Sequence, residues 1–149
     1  GWINLGESNL RTLSLAQPDS DSDGISDAWE MQWFGALNVA DAATDHDADG
    51  VSDLEECAAD TSPLSGASRL RITQHNFDPL LATALLQFAP TSPRRQYRID
   101  YSTELQPPWI SSAHGIFAPD PGGTTARSFS FPPASRMFFR VVPLLPLQP

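Results

Sequence analysis

The chain has 149 residues, 18 of them Asp or Glu against 9 Lys or Arg, for a net charge of −9. That balance excludes the broad basic face that nucleic acid binding requires. No apolar run approaches the ~20 residues of a membrane-spanning helix, and the single cysteine, Cys57, excludes an intrachain disulfide framework.

The charge is unevenly placed. Residues 1–66 hold 14 carboxylates and one Arg, whereas residues 67–149 hold 4 carboxylates and 8 Arg. Three segments follow from this shift. Residues 1–17 are apolar-patterned, with Leu10, Leu13 and Leu15 suggesting a strand or linker, and such a strand can pair with the sheet edge of a neighbouring subunit. The opening "GWINLG" reads as the interior of a longer chain, so a processed product or fragment is expected.

Residues 18–66 contain an internal repeat. "DSDSDGISDAWEMQWFG" begins at Asp19 and "DHDADGVSDLEECAAD" at Asp45. Counted from those residues, Asp19, Asp21 and Asp23 occupy positions one, three and five, Gly24 six, Ile25 seven, Asp27 nine and Glu30 twelve. Asp45, Asp47, Asp49, Gly50, Val51, Asp53 and Glu56 repeat the pattern. This is the spacing of a twelve-residue EF-hand calcium loop. Alternate residues in a tight turn aim their oxygens at one point, and Gly tolerates the bend the chain must then make. The apolar residue at seven offers its backbone carbonyl and turns its side chain to a core. The acid at twelve sits in the first turn of the next helix.

Without a cation, five carboxylates per loop would repel one another. Two Ca2+ ions are therefore expected, bound by Asp19, Asp21, Asp23, Ile25, Asp27 and Glu30, and by Asp45, Asp47, Asp49, Val51, Asp53 and Glu56. At millimolar calcium and a micromolar dissociation constant, each ion would stabilise the fold by about 4 kcal/mol. His46, at position two, is expected to point outward.

A short helix is predicted after each loop. Trp29 and Trp33 share one face, Gly35 is placed to end the first helix, and Leu54, Cys57 and Ala58 form the facing side of the second. Cys57 reads as a small buried hydrophobe. Neither loop has a convincing entry helix.

Residues 67–149 read as a small antiparallel β-sandwich. The runs "SRLRITQH", "ATALLQFA", "QYRIDYST", "ARSFSFP" and "RMFFRVVPL" are each bounded by turn residues, giving five or six strands. Alternation puts Tyr97, Ile99 and Tyr101 on one inward face, and likewise Phe129 and Phe131, while Phe138 and Phe139 must point to opposite faces. Trp109 and Phe117 complete the aromatic set. Exposed rings would suit stacking on a polysaccharide; buried rings would make a core. The chain as a whole is thus expected to be mainly β: a small sandwich preceded by a two-loop, two-short-helix calcium-binding segment.

The loop–helix repeat resembles the dockerin, a paired module that binds a cohesin, and the thrombospondin type 3 repeat, a calcium-wrapped spacer. A fuller resemblance is to the C-terminal arrangement of secreted surface proteins of Verrucomicrobia and Planctomycetes. It is carried by "DSDSDGISDAWEMQWFG", "DHDADGVSDLEECAADTSP", "YRIDYSTELQPPW" and "MFFRVV", and covers about Asp19 to Val142. "GWINLG" is similar to the close of a repeat in large surface proteins of that kind. Where the family has an aromatic and then "GTDP", this chain has "CAADTSP", so an extra ligand supplied there is not carried over. Both loops end in Glu, whereas dockerin loops usually end in Asp, and dockerins lack a following β-domain.

No Cys–His or Ser–His–Asp grouping and no glycine-rich phosphate loop is legible around His46, His75 or His114. Asp100 and Glu104 are the one remaining carboxylate pair, expected to make surface salt bridges with Arg94, Arg95 or Arg98. The expected function is a non-catalytic, calcium-stabilised extracellular structural or surface-attachment module, secreted or attached to the cell surface. Its expected partners are neighbouring domains or subunits, with no nucleic acid and no membrane span. A polysaccharide-binding module and a dockerin-like adaptor are the alternatives.

Overall fold

The computed structural model describes residues 18–145; the expected strand within residues 1–17 lies outside them. The element order is α1 (Asp27–Trp33), α2 (Asp53–Ala59), then β1 (Arg71–Asp78), β2 (Thr83–Ala89), β3 (Gln96–Ser102), β4 (Ile110–Phe117), β5 (Thr125–Ser130) and β6 (Phe138–Leu144).

Helices of seven residues are too short to persist on propensity alone. Burial of one face and fixed ends hold them. The chain leaves α1 through Gly35, whose φ of +70° is the left-handed conformation of a helix stop. A reciprocal pair opens α2: Ser52 accepts from the Glu55 N–H, and the Glu55 carboxylate accepts from the Ser52 N–H. The two helices share a small core of Ile25, Trp29, Ala40 and Cys57, with Trp33, Phe34 and Leu54 packed around it. Cys57 is buried and free, as expected. Ala58 departs from expectation: it is exposed, and Ala59 is buried instead. Seven residues make only two turns, and spacing alone does not fix which small residue faces inward.

The rest of the described chain is a sandwich of two three-stranded antiparallel sheets, ordered β1-β2-β5 and β4-β3-β6. Its core comes from the two central strands. Ala84, Leu86 and Phe88 of β2 face Tyr97, Ile99 and Tyr101 of β3, and Phe129 and Phe131 close one end. The alternating burial of β2 is the period-two pattern of a sheet with one face dry. The expected inward set on β3 and β5 is therefore correct. Phe139 packs against Phe77, Phe129 and Phe131, and Phe138 is half-buried.

The strand absent from the sequence reading is β4. Its outward residues include Ile110 and Ile116, both more than half exposed, and the one fully buried residue is Ser112. An edge strand that buries a serine and exposes isoleucines carries no alternation to detect. Its register with β3 also breaks between Arg98 and Asp100, near Gly115 at φ +59°.

Phe88→Ala is expected to cost about 3–5 kcal/mol, because the fully buried ring bridges both sheets. Ile116→Ala should fall within about 0.5 kcal/mol. Urea unfolding of the two variants checks the contrast.

Candidate metal centre

Both loops fold by the same local bonds. The Asp19 carboxylate accepts from the backbone N–H of Ser22, Asp23 and Gly24, at 2.8, 3.2 and 3.0 Å. Asp45 does the same for Asp49 and Gly50, at 3.3 and 2.9 Å. The fifth-position acid of each loop, Asp23 or Asp49, accepts from the N–H of Ile25 or Val51, at 2.7 and 2.9 Å. The tight bend needs left-handed backbone at two places per loop: Ser22 and Gly24 in one, Ala48 and Gly50 in the other. Each loop is closed by one backbone bond, from Asp27 to the Pro18 carbonyl and from Asp53 to the Thr44 carbonyl, both 2.8 Å.

These turns bring together two acidic triads. Ligand oxygens of Asp19, Asp21 and Asp23 lie within 4.8 Å of one another, as do those of Asp45, Asp47 and Asp49. Such a triad can hold a metal ion. Glu30 and Glu56 are fully buried in the first turns of α1 and α2. One oxygen of each is tied to the protein. Oε1 of Glu30 accepts from the Asn38 N–H at 3.0 Å, and Oε1 of Glu56 from the Thr61 hydroxyl at 3.2 Å. The Oε2 atoms of both, with Oδ2 of Asp23, Asp47 and Asp49, are buried and lack a hydrogen-bond partner among the described residues. A buried carboxylate oxygen without a donor costs free energy unless something positive reaches it, so this donor set fits a hard cation.

Electrostatics follow the same lines. Burial, and then the charges of Asp21, Asp23 and Asp27, push the Glu30 carboxyl up against the opposing Asn38 bond. Burial and the charges of Asp47, Asp49 and Asp53 push Glu56 up to about 7, although the Thr61 hydroxyl opposes them.

The ninth-position acids face the second loop residue. Asp27 accepts from the Ser20 N–H and hydroxyl at 2.7 and 2.6 Å, and the Ser20 bonds hold its carboxyl below the ordinary value. Asp53, fully buried, meets His46 Nδ1 at 2.6 Å and the Thr44 hydroxyl at 2.5 Å. His46 is exposed, as expected, while its Nδ1 meets the Asp53 carboxylate. Asp27 and Asp53, expected as ligands, are thus bonded to residues of their own loops and lie outside the two triads. The side chain of Ile25 is fully buried, and that of Val51 is half-buried.

For the Asp100–Glu104 pair the expected bridge to Arg98 forms, but from a buried Asp100, and the surface placement is corrected. Asp100 is buried on β3, bonded to Arg98 at 2.8 and 3.0 Å, to Arg140 of β6 at 2.9 and 3.1 Å, and to the Ser111 hydroxyl at 3.0 Å. Arg140 in turn lies over the Trp109 ring at 4.6 Å. Glu104 pairs elsewhere, with Arg136 at 2.6 Å, and the Arg95 guanidinium serves carbonyls of α2. The two acids do not form a catalytic dyad. His114 Nε2 lies 2.8 Å from the Ser128 carbonyl, joining β4 to β5.

Compared with models of known protein families, with curated proteins and with solved structures, the chain matches none.

Burial alone would raise the Asp100 carboxyl, but the bonds from Arg98, Arg140 and Ser111 outweigh it and hold the group below its ordinary 3.8. Its contribution is therefore complete above that value and lost as pH falls through the lower folded value. Asp100→Asn is expected to cost about 1.5–3 kcal/mol at neutral pH. That deficit should shrink steadily below about pH 4, as read by urea unfolding in EDTA at pH 7 and at pH 3. An equal deficit at both would contradict the assignment.

Proposed function

We propose that this chain is a non-catalytic, calcium-stabilised structural module of a secreted or cell-surface protein, serving assembly or attachment alongside neighbouring domains or subunits. The observation that carries the reading is the pair of fully buried glutamates, Glu30 and Glu56. Each keeps one buried oxygen without a donor, and burial, then the neighbouring Asp charges, push its carboxyl up.

The chemistry of the donors selects the ion. Every candidate side-chain ligand is a carboxylate, which suits a hard cation and not a thiolate- or imidazole-seeking one. Three aspartates, a glutamate and a backbone carbonyl at position seven, completed by water, would supply the six to eight oxygens that calcium takes. Magnesium asks for a tighter octahedron and keeps more of its water. When bound, the ion supplies the positive charge that lets the carboxylates stay ionised and close together. Outside cells, where calcium is millimolar, such loops would be filled and would take the stabilising part that a disulfide takes elsewhere.

The polysaccharide alternative receives less support. Tyr97, Tyr101, Phe129 and Phe131 are spent on the core, and Arg140 lies over Trp109, leaving few free rings on which a sugar face could stack.

The melting temperature of the full chain in millimolar CaCl2 should exceed that in EDTA by about 10 °C or more, with MgCl2 giving a smaller rise. Superimposable melting curves in all three would remove the proposal.

A further inference from the structure

We propose that the two loops are unequal: ion occupancy of the second loop governs the stability of the sandwich, whereas occupancy of the first stabilises only its own helix. This rests on the calcium reading above.

The second loop is wired into the sandwich at three places. Gly66 lies so close beneath it that a Cβ there would stand 2.9 Å from the Asp49 Cβ. Arg69, just before β1, donates to the Asp49 carbonyl at 2.9 Å and stands 3.8 Å from its carboxylate. At the far end of α2, Arg95 donates to the Ala58 and Cys57 carbonyls at 2.8 and 2.7 Å. Arg95 is itself buried, at 6 % exposure, immediately before β3. Asp60, the left-handed residue that ends α2, adds a hydrogen bond from the Ser92 hydroxyl and ion pairs with Arg94 and Arg95 at 3.9 and 3.8 Å.

The first loop has no such wiring. Among the described residues, no hydrogen bond or ion pair joins residues 18–43 to residues 67–145. Its attachment is apolar and runs to α2, through Ile25 and Trp29 beside Cys57 and through Leu54, whose Cδ1 lies 3.3 Å from where a Gly24 Cβ would stand, and to the second loop, through the Phe34 ring 4.5 Å from that of His46. Toward the sandwich it faces a cleft of about 380 Å³, with Asp19, Gly24 and Ile25 on one side and Pro143, Leu144 and Leu145 on the other. Val51 also shares a cleft with Val141 and Val142, but the second loop meets the chain leading into β1 directly, through Asp49 with Gly66 and Arg69.

The coupling follows from which atoms an ion would fix. Fixing Asp49 holds the carbonyl that orders Arg69 at the start of β1. Fixing Glu56 holds the first turn of α2, and with it the terminal carbonyls that satisfy the buried Arg95. If α2 loosens, the Arg95 guanidinium loses those acceptors in a dry site, a cost borne by the sandwich. Fixing Asp19, Asp21, Asp23 and Glu30 orders α1 and, through the Asn38 N–H, the turn after it; among the described residues it reaches no residue of the sandwich by polar contacts.

The test is hydrogen exchange on the full chain, with and without CaCl2, in the wild type and in Glu30→Gln and Glu56→Gln. Calcium should slow exchange in Asp27–Trp33, Asp53–Ala59, Arg71–Asp78 and Gln96–Ser102 of the wild type. Glu56→Gln should lose that gain in α2, β1 and β3, whereas Glu30→Gln should lose it in α1 alone. Arg95→Lys provides a milder variant: calorimetry should still count two ions while the gain in β3 falls by half or more. Equal losses in the sandwich from both glutamate variants, or an undiminished gain in Arg95→Lys, would overturn the inference with the calcium reading intact. A wild-type chain that takes up no calcium would remove both.

Discussion

Carboxylates held close together in two short loops are the constraint from which the rest of this structure follows. Among the described residues no ion pair reaches Asp19, Asp21, Asp23, Asp27 or Glu30. Among the described residues, Arg69 is the one arginine that pairs with the second triad, 3.8 Å from Asp49. Backbone N–H groups satisfy part of each cluster, and they do so at the cost of left-handed backbone at Ser22, Gly24, Ala48 and Gly50. Such a triad can hold a metal ion, and without a cation its like charges repel one another.

The scaffold around the triads is economical. Two helices of seven residues share a core of four buried side chains, Ile25, Trp29, Ala40 and Cys57. A core of that size would not hold a fold by itself. It leans on the sandwich through α2, where Arg95 and Asp60 exchange polar contacts with both ends of the connection. The sandwich, by contrast, has a continuous apolar centre with Phe88, Tyr97 and Ile99 fully buried. Even the Tyr97 hydroxyl is used, accepting from the Ser92 N–H at 2.8 Å. Stability is therefore graded from the sandwich outward to the first loop.

How much of this was legible depended on the range of the interactions involved. The loops are written in contiguous residues, so the spacing of Asp, Gly and Glu foretold the triads and the glutamates in the first turns of α1 and α2. Strands β2, β3 and β5 carry clear alternation, and their inward faces followed from it. Strand β4 did not, because "ISSAHGIF" exposes its large residues and buries a serine. The cover over Asp100 was also invisible: alternation placed it on the outer face of β3, but Arg140 arrives from β6, 40 residues later, and Trp109 backs it. Arg95 was read as a surface cation for the same reason, since its acceptors on α2 lie 37 and 38 residues earlier. His46 keeps its outward place, but its position in the loop says nothing of the Asp53 carboxylate that its Nδ1 meets. Gly66 gave no signal, as its role is a close approach between segments.

Anomalous diffraction from crystals of the full chain grown in calcium tests the central claim most directly. The account predicts one calcium peak in each loop, ringed by Asp19, Asp21, Asp23 and Glu30 in the first and by Asp45, Asp47, Asp49 and Glu56 in the second, with ligand oxygens at roughly 2.3–2.6 Å. Both loops folded as described but without an anomalous peak, with Glu30 Oε2 and Glu56 Oε2 bonded to ordered water, would contradict it.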